Sequence, residues 1–309
     1  MLAAALTRSS WTSRAAVRMA ESPLSKLAST DPACFGVMDE IVEVDGQQVP
    51  TSRFVDADVG MEFPKQELSE QLYGAQGPWP VEYPFPPEAF RRQDETDDGD
   101  FYSTPRLCYH IDEGAVRSIT NYYRENIEPG SAILDICSSW VSHYPADFPE
   151  TMSRISATGM NALELGANKQ LTDFEPKNLN IEPKLPYEDE SFDVVTCVVS
   201  VDYLNKPLEV FSEVNRVLKP GGKFILSQSN RCFPTKAIAM WLQQSDLQHC
   251  LVIAAYFHYS KGWKPAKIFD CSPRGPRTND PLFIVEGVKG KPDEPPKLDA
   301  SRWLKKKTD

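Results

Sequence analysis

The hydrophobic positions of the chain follow two different periods from about Phe101 onward. Continuous apolar runs such as "AILDI" and "FDVVTCVVSV" predict buried strands, whereas "AVRSITNYYRENI" repeats its apolar residues every three or four positions and predicts a helix. We expect further strands in "SRISATG", "KFILSQS", "AKIFDCS" and "PLFIVEGV", and further helices in "ALELGANKQL", "PLEVFSEVNRVLK" and "TKAIAMWLQQ". Because apolar strands that alternate with amphipathic helices build parallel sheets covered on both faces, the pattern predicts an α/β fold.

The region before Phe101 has a different character. The proline cluster "GPWPVEYPFPPEAF" and the acidic run "RRQDETDDGD" make long regular elements unfavourable. Its aromatic residues predict an extension that packs irregularly on the core, with the acidic run as an exposed linker. Within this extension "IVEVDGQQV" alternates around Asp-Gly, which predicts a β-hairpin.

The chain divides into four segments on this basis. Residues 1–22 contain three arginines, many alanines and several hydroxyl residues, with an acid only at Glu21, which is typical of an organellar transit peptide. An untargeted, disordered N-terminus is the alternative interpretation. We expect an acidic, Pro-rich extension over 23–100, the α/β domain over 101–289 and a flexible tail over 290–309.

Composition excludes several classes of protein. A net charge of -11 is unfavourable for binding a phosphate backbone, so we expect no nucleic-acid partner. No apolar run approaches the roughly 20 residues that a membrane span requires. Seven cysteines are scattered without a C-x-x-C pair, which indicates neither a disulfide framework nor a metal site.

The stretch "AILDICSSWVSHYP" carries the first candidate chemistry. Asp135 ends an apolar strand, where a carboxylate requires a ligand or helix-terminal amides as partners. Ser138 and Ser139 follow it, and their hydroxyls are suited either to holding an anion or to capping a helix. Trp140 is suited to stacking on a base or to packing beneath the turn. His143 lies close by as a candidate general base or as a structural residue.

The block "LPYEDESFDVVTCVVSVDYLNKPLEVFSEVNRVLKPGGKFIL", residues 185–226, resembles the middle of class I S-adenosylmethionine-dependent methyltransferases. It is most similar to their type 11, ubiquinone/menaquinone-methyltransferase-like subgroup. The resemblance implies a Rossmann-like fold over 101–289, with a mostly parallel seven-stranded sheet, an antiparallel edge hairpin and helices on both faces. The combination "PRLCYHID", "LDICSSWVSHYP" and "QSNRCFPTKAI" also resembles a plant, algal and cyanobacterial branch of methyltransferase-like proteins.

The resemblance implies S-adenosylmethionine as the cofactor and assigns its contacts. In the family an acid and a glycine-rich turn follow strand 1, but here Cys137, Ser139 and Val141 stand where glycines are usual, so the turn must differ in shape. The acid that takes the ribose hydroxyls falls at Asn161, and the acid near the adenine falls at Asn180 or Glu182. The predicted cofactor-binding residues are therefore Asp135, Cys137, Ser138, Ser139, Asn161, Asn180 and Ser200.

The same resemblance indicates where the methyl acceptor would lie. Residues after strands 4 and 5 face the reacting atoms in the family, which gives Asp202 and Tyr203, together with His143, as candidate catalytic residues. Trp140, Asn230 and Arg231 are the predicted substrate-binding residues. Arg231 is suited to an acidic or phosphorylated substrate, with a surface ion pair as the alternative.

The sequence therefore predicts transfer of a methyl group to a small-molecule acceptor. Two alternatives stay open: a ligand-binding protein that has lost catalysis, favoured by the missing glycines, and an assembly subunit that docks a protein partner through the aromatic segment 76–90. A nicotinamide dehydrogenase is disfavoured because G-x-G-x-x-G is missing. The lineages that the branch resembles favour the chloroplast over the mitochondrion as the destination.

Overall fold

The computed structural model describes residues 18–20, 27–28, 37–44, 46–53, 60–276 and 278–290. The predicted transit peptide lies outside the described residues except for 18–20, and the predicted flexible tail lies outside them beyond residue 290. These two expectations therefore stay predictions.

Twelve strands and seven α-helices make up the described ranges. The strands are β1 (Arg18–Ala20), β2 (Leu27–Ala28), β3 (Val37–Val44), β4 (Gln47–Arg53), β5 (Gln66–Glu67), β6 (Ala132–Asp135), β7 (Arg154–Gly159), β8 (Asp173–Pro176), β9 (Phe192–Val198), β10 (Leu218–Gln228), β11 (Lys267–Asp270) and β12 (Phe283–Val288). The helices are α1 (Ser69–Gln76), α2 (Asp98–Phe101), α3 (Glu113–Asn126), α4 (Phe148–Thr151), α5 (Ala162–Ala167), α6 (Pro207–Val217) and α7 (Asp246–Ser260). Three single 3₁₀ turns lie at Pro87–Phe90, Val201–Tyr203 and Trp241–Gln243.

The large sheet has eight strands in the order β5-β11-β12-β10-β9-β6-β7-β8. The five strands from β10 to β8 are parallel, whereas β12 runs antiparallel to both β10 and β11. This arrangement confirms the predicted mostly parallel sheet with an antiparallel edge hairpin. The short strand β5 adds an eighth strand that the sequence did not predict, since its two residues are exposed and polar.

Alternate residues of the central strands feed two separate cores, one on each face of the sheet. Ile133 and Val194 pack with Ile119 of α3, while the next residues along the two strands, Leu134 and Val195, belong to the core that contains α6 and α7. Because successive side chains of a strand point to opposite faces, a strand covered on both sides must be apolar throughout. This requirement explains the continuous apolar runs in the sequence.

The order of the strands determines which loops meet at the carboxyl edge of the sheet. Connections leave the parallel strands β6, β7, β8, β9 and β10 at the same edge, and in an open α/β sheet ligands bind in the crevice outside these ends. The chain order reverses here at β6, which pairs with β7 on one side and β9 on the other. The fold therefore places the turn after Asp135 beside the connection after β9.

The extension packs on the core through its aromatic residues, as expected. Trp79 stacks on His258 with ring centroids 5.7 Å apart, and the Tyr259 hydroxyl donates to the Pro80 carbonyl at 2.7 Å. Tyr83 contacts Tyr259 edge-on at 5.2 Å. The aromatic segment 76–90 is thus covered by the protein's own helix α7. Its rings therefore have intramolecular neighbours, and docking of a protein partner through this segment stays a prediction.

The acidic run is not the exposed linker that we expected. One of its acids, Asp98, is buried and binds Arg92 at 2.6 Å and Lys236 at 3.4 Å. The Lys236 ammonium is fully buried and also donates to the Thr96 carbonyl at 2.8 Å. Lys236 therefore holds part of this run against the loop that follows β10, and Arg92 pairs with the same acid from within the run. Composition alone gave the opposite prediction because acid-rich runs are usually solvated.

Several smaller elements differ from prediction. The hairpin of β3 and β4 is confirmed, with Gly46 at φ 77° in its turn. "TKAIAMWLQQ" is wrong as a helix: residues 235–244 form turns and one 3₁₀ turn because Lys236 is tied to the acidic run. Strand β8 was missed because it is short and most of its residues are exposed.

Cys108 is disulfide-bonded, although the scattered cysteines indicated no disulfide framework, because spacing along the chain does not show which thiols meet in space.

Candidate functional site

A cavity of about 410 Å³ lies at the carboxyl edge of the parallel strands. Its floor comes from the ends of β6, β7, β8 and β9, and its roof from the segment between α2 and α3 together with the loop after β10. Most of the predicted site residues line it: Asp135, Cys137, Ser138, Ser139, Trp140, His143, Asn180, Ser200, Tyr203 and Arg231. The fold therefore brings together side chains that are up to about a hundred positions apart in sequence, as a switch-point crevice does.

The turn after β6 holds its shape by hydrogen bonds to both neighbouring strands. The Ile136 amide donates to the Thr196 carbonyl of β9 at 2.9 Å, and the Ser138 amide donates to the Thr158 carbonyl of β7 at 2.8 Å. Cys137, between them, has φ 54°, a conformation in which glycine is usual. The turn therefore adopts one left-handed residue without glycine.

Glycine is instead required on the opposite strand. A Cβ added to Gly159, the last residue of β7, would lie 2.1 Å from the Ser138 carbonyl oxygen. The close approach of these two backbones leaves no room for a side chain. The backbone position at this site that requires glycine is therefore the end of β7.

Asp135 is buried at the base of the cavity and is bonded by neighbouring hydroxyls. Its two oxygens accept hydrogen bonds from Ser138 Oγ at 2.6 Å and Thr196 Oγ1 at 3.0 Å. Burial nevertheless raises the pKa of Asp135 to about 6, with these hydroxyls and Ser142 opposing the shift. The carboxylate is therefore ionised at neutral pH but protonates under mildly acidic conditions.

Ser139 bonds across the cavity wall to a residue that the sequence analysis missed. Its hydroxyl donates to Glu164 Oε2 at 2.6 Å, and the Arg106 amide donates to Glu164 Oε1 at 2.8 Å. Burial raises the pKa of Glu164, and the two hydrogen bonds and the charge of Arg106 lower it. Glu164 thus joins the turn after β6, the helix α5 and the roof of the cavity.

Asn161, predicted as a cofactor ligand, does not line the cavity. It caps α5 by accepting from the amides of Leu163 at 2.9 Å and Glu164 at 3.2 Å. Its Nδ2 donates to the Tyr102 carbonyl at 2.8 Å. Both ends of the amide are therefore engaged in structure, and Gly159, Met160 and Glu164 line the cavity at this position instead.

Asn180 lies at the junction of three elements. Its Nδ2 donates to Asp98 Oδ2 at 3.0 Å and to the Tyr203 carbonyl at 2.9 Å, while its Oδ1 accepts from the Asn205 amide. The Tyr203 hydroxyl accepts from the Phe233 amide at 2.8 Å. Asn180 and Tyr203 thus fix the loops after β8, β9 and β10 around the cavity.

Asp202 and Asn230, predicted as a catalytic and a substrate-binding residue, also lie outside the cavity lining. Asp202 is buried beneath the loop after β9, and its Oδ2 has no hydrogen-bond partner among the described residues. Burial raises its pKa to about 8, so the group is mainly a neutral acid at pH 7. Asn230 is exposed to solvent because it follows the last residues of β10 outward.

His143 faces the cavity from the turn before α4. Its φ is 59°, and Thr120 of α3 fixes its backbone by donating to the His143 carbonyl at 2.9 Å. The ring lies 5.9 Å from that of Tyr109, and its Nδ1 has no partner in the described ranges. Burial, with a smaller effect of His110, lowers the pKa of His143 to about 4. The imidazole is therefore neutral at physiological pH.

The roof adds aromatic and cationic side chains. Trp140 donates from Nε1 to the Cys108 carbonyl at 3.1 Å and lies 5.1 Å from the ring of Tyr109. Arg231, which we expected to hold an acidic substrate, binds the fully buried Asp280 at 2.7 Å. The alternative interpretation, an ion pair, therefore describes the Arg231 contact in this structure.

The sequence of this region matches a known family. Residues 138–226 match the family model described as a methyltransferase domain. Over these residues the chain is similar to the methyltransferase domains of that family. That stretch runs from the turn after β6 through β7, β8, β9 and α6 into β10, and so includes three of the walls of the cavity.

Curated relatives cover parts of this domain. A demethylmenaquinone methyltransferase of Bacillus mycoides (strain KBAB4) is 31% identical over 120 residues, which is 34% of this chain and 48% of the relative. A sterol 4-C-methyltransferase of Caenorhabditis elegans is 49% identical over 43 residues, 14% of this chain and 13% of the relative. The chain spans about half or less of the length of these relatives.

A solved structure is also similar to this chain. The crystal structure of an S-adenosylmethionine-dependent methyltransferase from Mesorhizobium loti has a TM-score of 0.41 and 13% sequence identity, and the match covers 57% of this chain and 99% of that one.

In the described ranges of our chain, no helix combines the length and the apolar character that crossing a membrane demands. The same ranges contain no group of His, Cys, Asp and Glu side chains arranged to hold a metal ion.

Proposed function

We propose that the cavity binds S-adenosylmethionine and that the protein transfers the methyl group to a small-molecule acceptor. The observation that carries this proposal is the cavity itself, which opens at the switch point of a sheet whose sequence matches a methyltransferase domain. The residues that line the cavity are chemically suited to the cofactor.

Each part of the cofactor has a suitable counterpart in the wall. Asp135 provides a negative charge for a cationic group at the base of the cavity. Ser200 and Asn180 supply polar side chains after β9 and β8, while Met160 and Leu179 supply apolar surface suited to a flat base. S-adenosylmethionine, when bound, supplies a methyl group on a positively charged sulfur, which is already a strong electrophile.

The protein then has to orient the two reactants, exclude water and hold at most one proton. His143 is the candidate for the last task because its imidazole is neutral at pH 7 and its Nδ1 is free of partners in the described ranges. A base with a pKa of about 4 is weak, so we expect it to accept a hydrogen bond from the acceptor and to orient it rather than to deprotonate it fully.

The roof excludes water. Tyr102, Tyr109 and Phe233 cover the cavity, and the Asp98 ion pairs hold this cover against the loop after β10. A partly covered, mostly apolar cavity of this size leaves room only for a small acceptor beside the cofactor. A macromolecular acceptor would have to displace the roof.

Calorimetric titration with S-adenosylmethionine and S-adenosylhomocysteine tests the proposal. We expect micromolar binding at pH 7.5, with Asp135→Asn weakening S-adenosylmethionine about tenfold through loss of the charge. The matched control is Asp100→Asn, an exposed acid outside the cavity lining, which should leave both affinities unchanged. Because the pKa of Asp135 is about 6, binding of the cationic cofactor should weaken below that pH. A folded protein that binds neither compound contradicts the proposal and favours the non-catalytic alternatives.

A further inference from the structure

Arg106 is a pocket residue whose guanidinium forms no ion pair in the described part of the chain. Its guanidinium lies 4.8 Å from the ring centroid of Phe101 and 5.7 Å from that of Phe233, so two aromatic rings flank it. One guanidinium N–H donates to the Phe101 carbonyl at 3.2 Å. An arginine has five N–H donors, so most of its hydrogen-bonding capacity stays unused by these contacts.

Every other cation of the cavity wall has an anionic partner. Arg92 and Lys236 bind Asp98, at 2.6 Å and 3.4 Å. Lys177 binds Glu182 at 2.6 Å. Arg231 binds the buried Asp280 at 2.7 Å. Arg106 thus differs from the four other cationic residues that line the cavity, because in the described ranges it forms no ion pair.

Glu164 lies close to Arg106 but forms no ion pair with its guanidinium. Its Oε1 takes the backbone amide of Arg106, not the guanidinium, and its Oε2 takes the Ser139 hydroxyl. The carboxylate of Glu164 therefore holds the Arg106 backbone in place and leaves the side chain directed along the two rings. A guanidinium fixed at its backbone and flanked by apolar rings is preorganised for a planar anion.

We propose that Arg106 is the anion-binding residue of the cavity and holds the carboxylate of a bound ligand. A carboxylate matches the guanidinium fork with two parallel hydrogen bonds, and the flanking rings lower the local dielectric and strengthen the pair. The inference rests on the proposed function for its two sources of a carboxylate. One is the amino-acid end of the cofactor, and the other is a small acidic methyl acceptor that packs on Phe233 and Tyr109.

Two pairs of probes distinguish the sources. S-adenosylhomocysteine carries the amino-acid carboxylate, whereas 5′-methylthioadenosine has the same nucleoside without it. Benzoate is a planar aromatic carboxylate, and benzamide is its neutral counterpart of nearly the same shape. The variant is Arg106→Met, which keeps an unbranched side chain between the rings, and the control is Arg91→Met, an exposed arginine outside the cavity lining. Thermal unfolding verifies that both variants fold.

The affinities measured by calorimetry decide the inference. If Arg106→Met weakens S-adenosylhomocysteine about tenfold or more and leaves 5′-methylthioadenosine unchanged, the carboxylate belongs to the cofactor. If both nucleosides are unaffected but the variant loses binding of benzoate to the S-adenosylhomocysteine complex, and benzamide binds neither protein, the carboxylate belongs to the acceptor. If the variant changes neither pair, Arg106 is a structural residue and the inference is wrong.

Failure of the proposed function gives a different result. In that case the unchanged protein binds neither nucleoside, and benzoate is titrated against the protein alone. Binding of benzoate that requires Arg106 would retain the anion site in a protein that is not a methyltransferase. No binding of benzoate would overturn the Arg106 inference as well.

Discussion

Ser138 donates its hydroxyl hydrogen bond to the carboxylate of Asp135 across 2.6 Å, from within the same turn. Thr196 on the neighbouring strand donates to the other oxygen, and the Tyr144 hydroxyl lies 2.6 Å from Thr196 Oγ1. The turn after β6 therefore stabilises its buried acid with side-chain hydroxyls in place of the backbone amides that a glycine-rich turn exposes. These hydrogen bonds explain how the turn accommodates the buried carboxylate of Asp135 without a glycine-rich sequence.

Removing the Ser138 hydroxyl should destabilise the protein in a pH-dependent way. Because Asp135 is an acid whose folded-state pKa is raised from 3.8 to about 6, burying its anion is unfavourable above pH 6, and Ser138 reduces that cost. Ser138→Ala should therefore lower the free energy of unfolding by about 1 to 3 kcal/mol at pH 7.5. The loss should shrink below pH 6, where Asp135 is protonated in the folded state. Urea unfolding at pH 7.5 and pH 4.5 measures both values.

The matched control for this experiment is Ser153→Ala. Ser153 is exposed and lies just before β7, so its removal should change stability little at either pH. An equal loss for Ser138→Ala at both pH values would show that the hydroxyl acts through packing and not through the charge of Asp135.

Asp202 should have the opposite signature, since its Oδ2 has no hydrogen-bond partner among the described residues. Its folded-state pKa is raised to about 8 by burial, so the cost of the anion is fully present above pH 8 and disappears as pH falls from 8 toward 3.8. Asp202→Asn removes the charge and keeps the shape. We expect the variant to be more stable than the unchanged protein by at least about 1 kcal/mol at pH 9 and similar to it at pH 5.

Guanidinium unfolding at pH 5, 7 and 9 tests this expectation, with the exposed Asp100→Asn as the control. A variant that is destabilised equally at all three pH values would mean that the Asp202 carboxylate accepts hydrogen bonds as an anion in the folded protein. That result would argue against the neutral-acid description of the site.

The sequence predicted the central strands well because their burial requires continuous apolar residues. β6 is one residue shorter than the predicted "AILDI", and β7 and β9 also differ from prediction by few residues, since Val194 and Val195 pack in opposite cores. Strand β8 was missed because an edge strand with exposed residues such as Phe174 does not need that pattern. Periodicity reports burial, so it detects only the elements that burial selects.

The candidate site was predictable in part for a related reason. Residues at the ends of strands, such as Asp135 and Ser200, were found because their place in the sheet follows from chain order. Arg106 and Glu164 were missed because their relation depends on a contact between positions 58 residues apart. No local pattern reports such a contact, and the acidic run near Asp98 was misinterpreted for the same reason.

The buried ion pairs of Asp98 should be essential for stability. Arg92 and Lys236 have side chains that are 6% and 0% exposed, and Asp98 is the carboxylate that they share. Asp98→Ala leaves two buried cations with less compensation, which should cost roughly 3 kcal/mol or more in the free energy of unfolding. Thermal and urea unfolding check the loss, and Asp100→Ala in the same helix serves as the exposed control. A loss below about 1 kcal/mol would support the original description of this run as a solvated linker.

The aromatic segment gives a prediction that separates internal packing from docking. Trp79 stacks on His258 and meets Tyr73 edge-on at 6.2 Å, whereas Val81 nearby is fully exposed. Trp79→Ala should lower the free energy of unfolding by about 1 to 3 kcal/mol, and Val81→Ala should leave it unchanged. Urea unfolding of the isolated protein compares the two variants. An unaffected Trp79→Ala variant would favour docking of a partner by these rings.

Gly159 provides the most direct test of how the turn and β7 together shape the cavity. A methyl group at this position would lie 2.1 Å from the Ser138 carbonyl, a backbone atom that cannot rotate away as a flexible side chain would. The clash can be relieved in two ways. Either β7 separates from the turn, which breaks the hydrogen bond from the Ser138 amide to the Thr158 carbonyl, or the turn moves into the cavity. Both movements displace Ser138 and Ser139, so we expect Gly159→Ala to lose several kcal/mol of stability, roughly 2 to 4, and to abolish binding of S-adenosylhomocysteine.

The control for Gly159→Ala is Gly77→Ala, at the end of α1. Gly77 has φ 72° and ψ -167°, a conformation used almost only by glycine, and nothing lies within 4 Å of an added Cβ, so its substitution carries only a conformational cost of about 1 to 3 kcal/mol. If Gly159→Ala were no more harmful than Gly77→Ala and still bound the nucleoside, the two backbones would have to separate freely. The cavity would then be an adaptable surface, and the rigid turn described above could not be what positions a ligand.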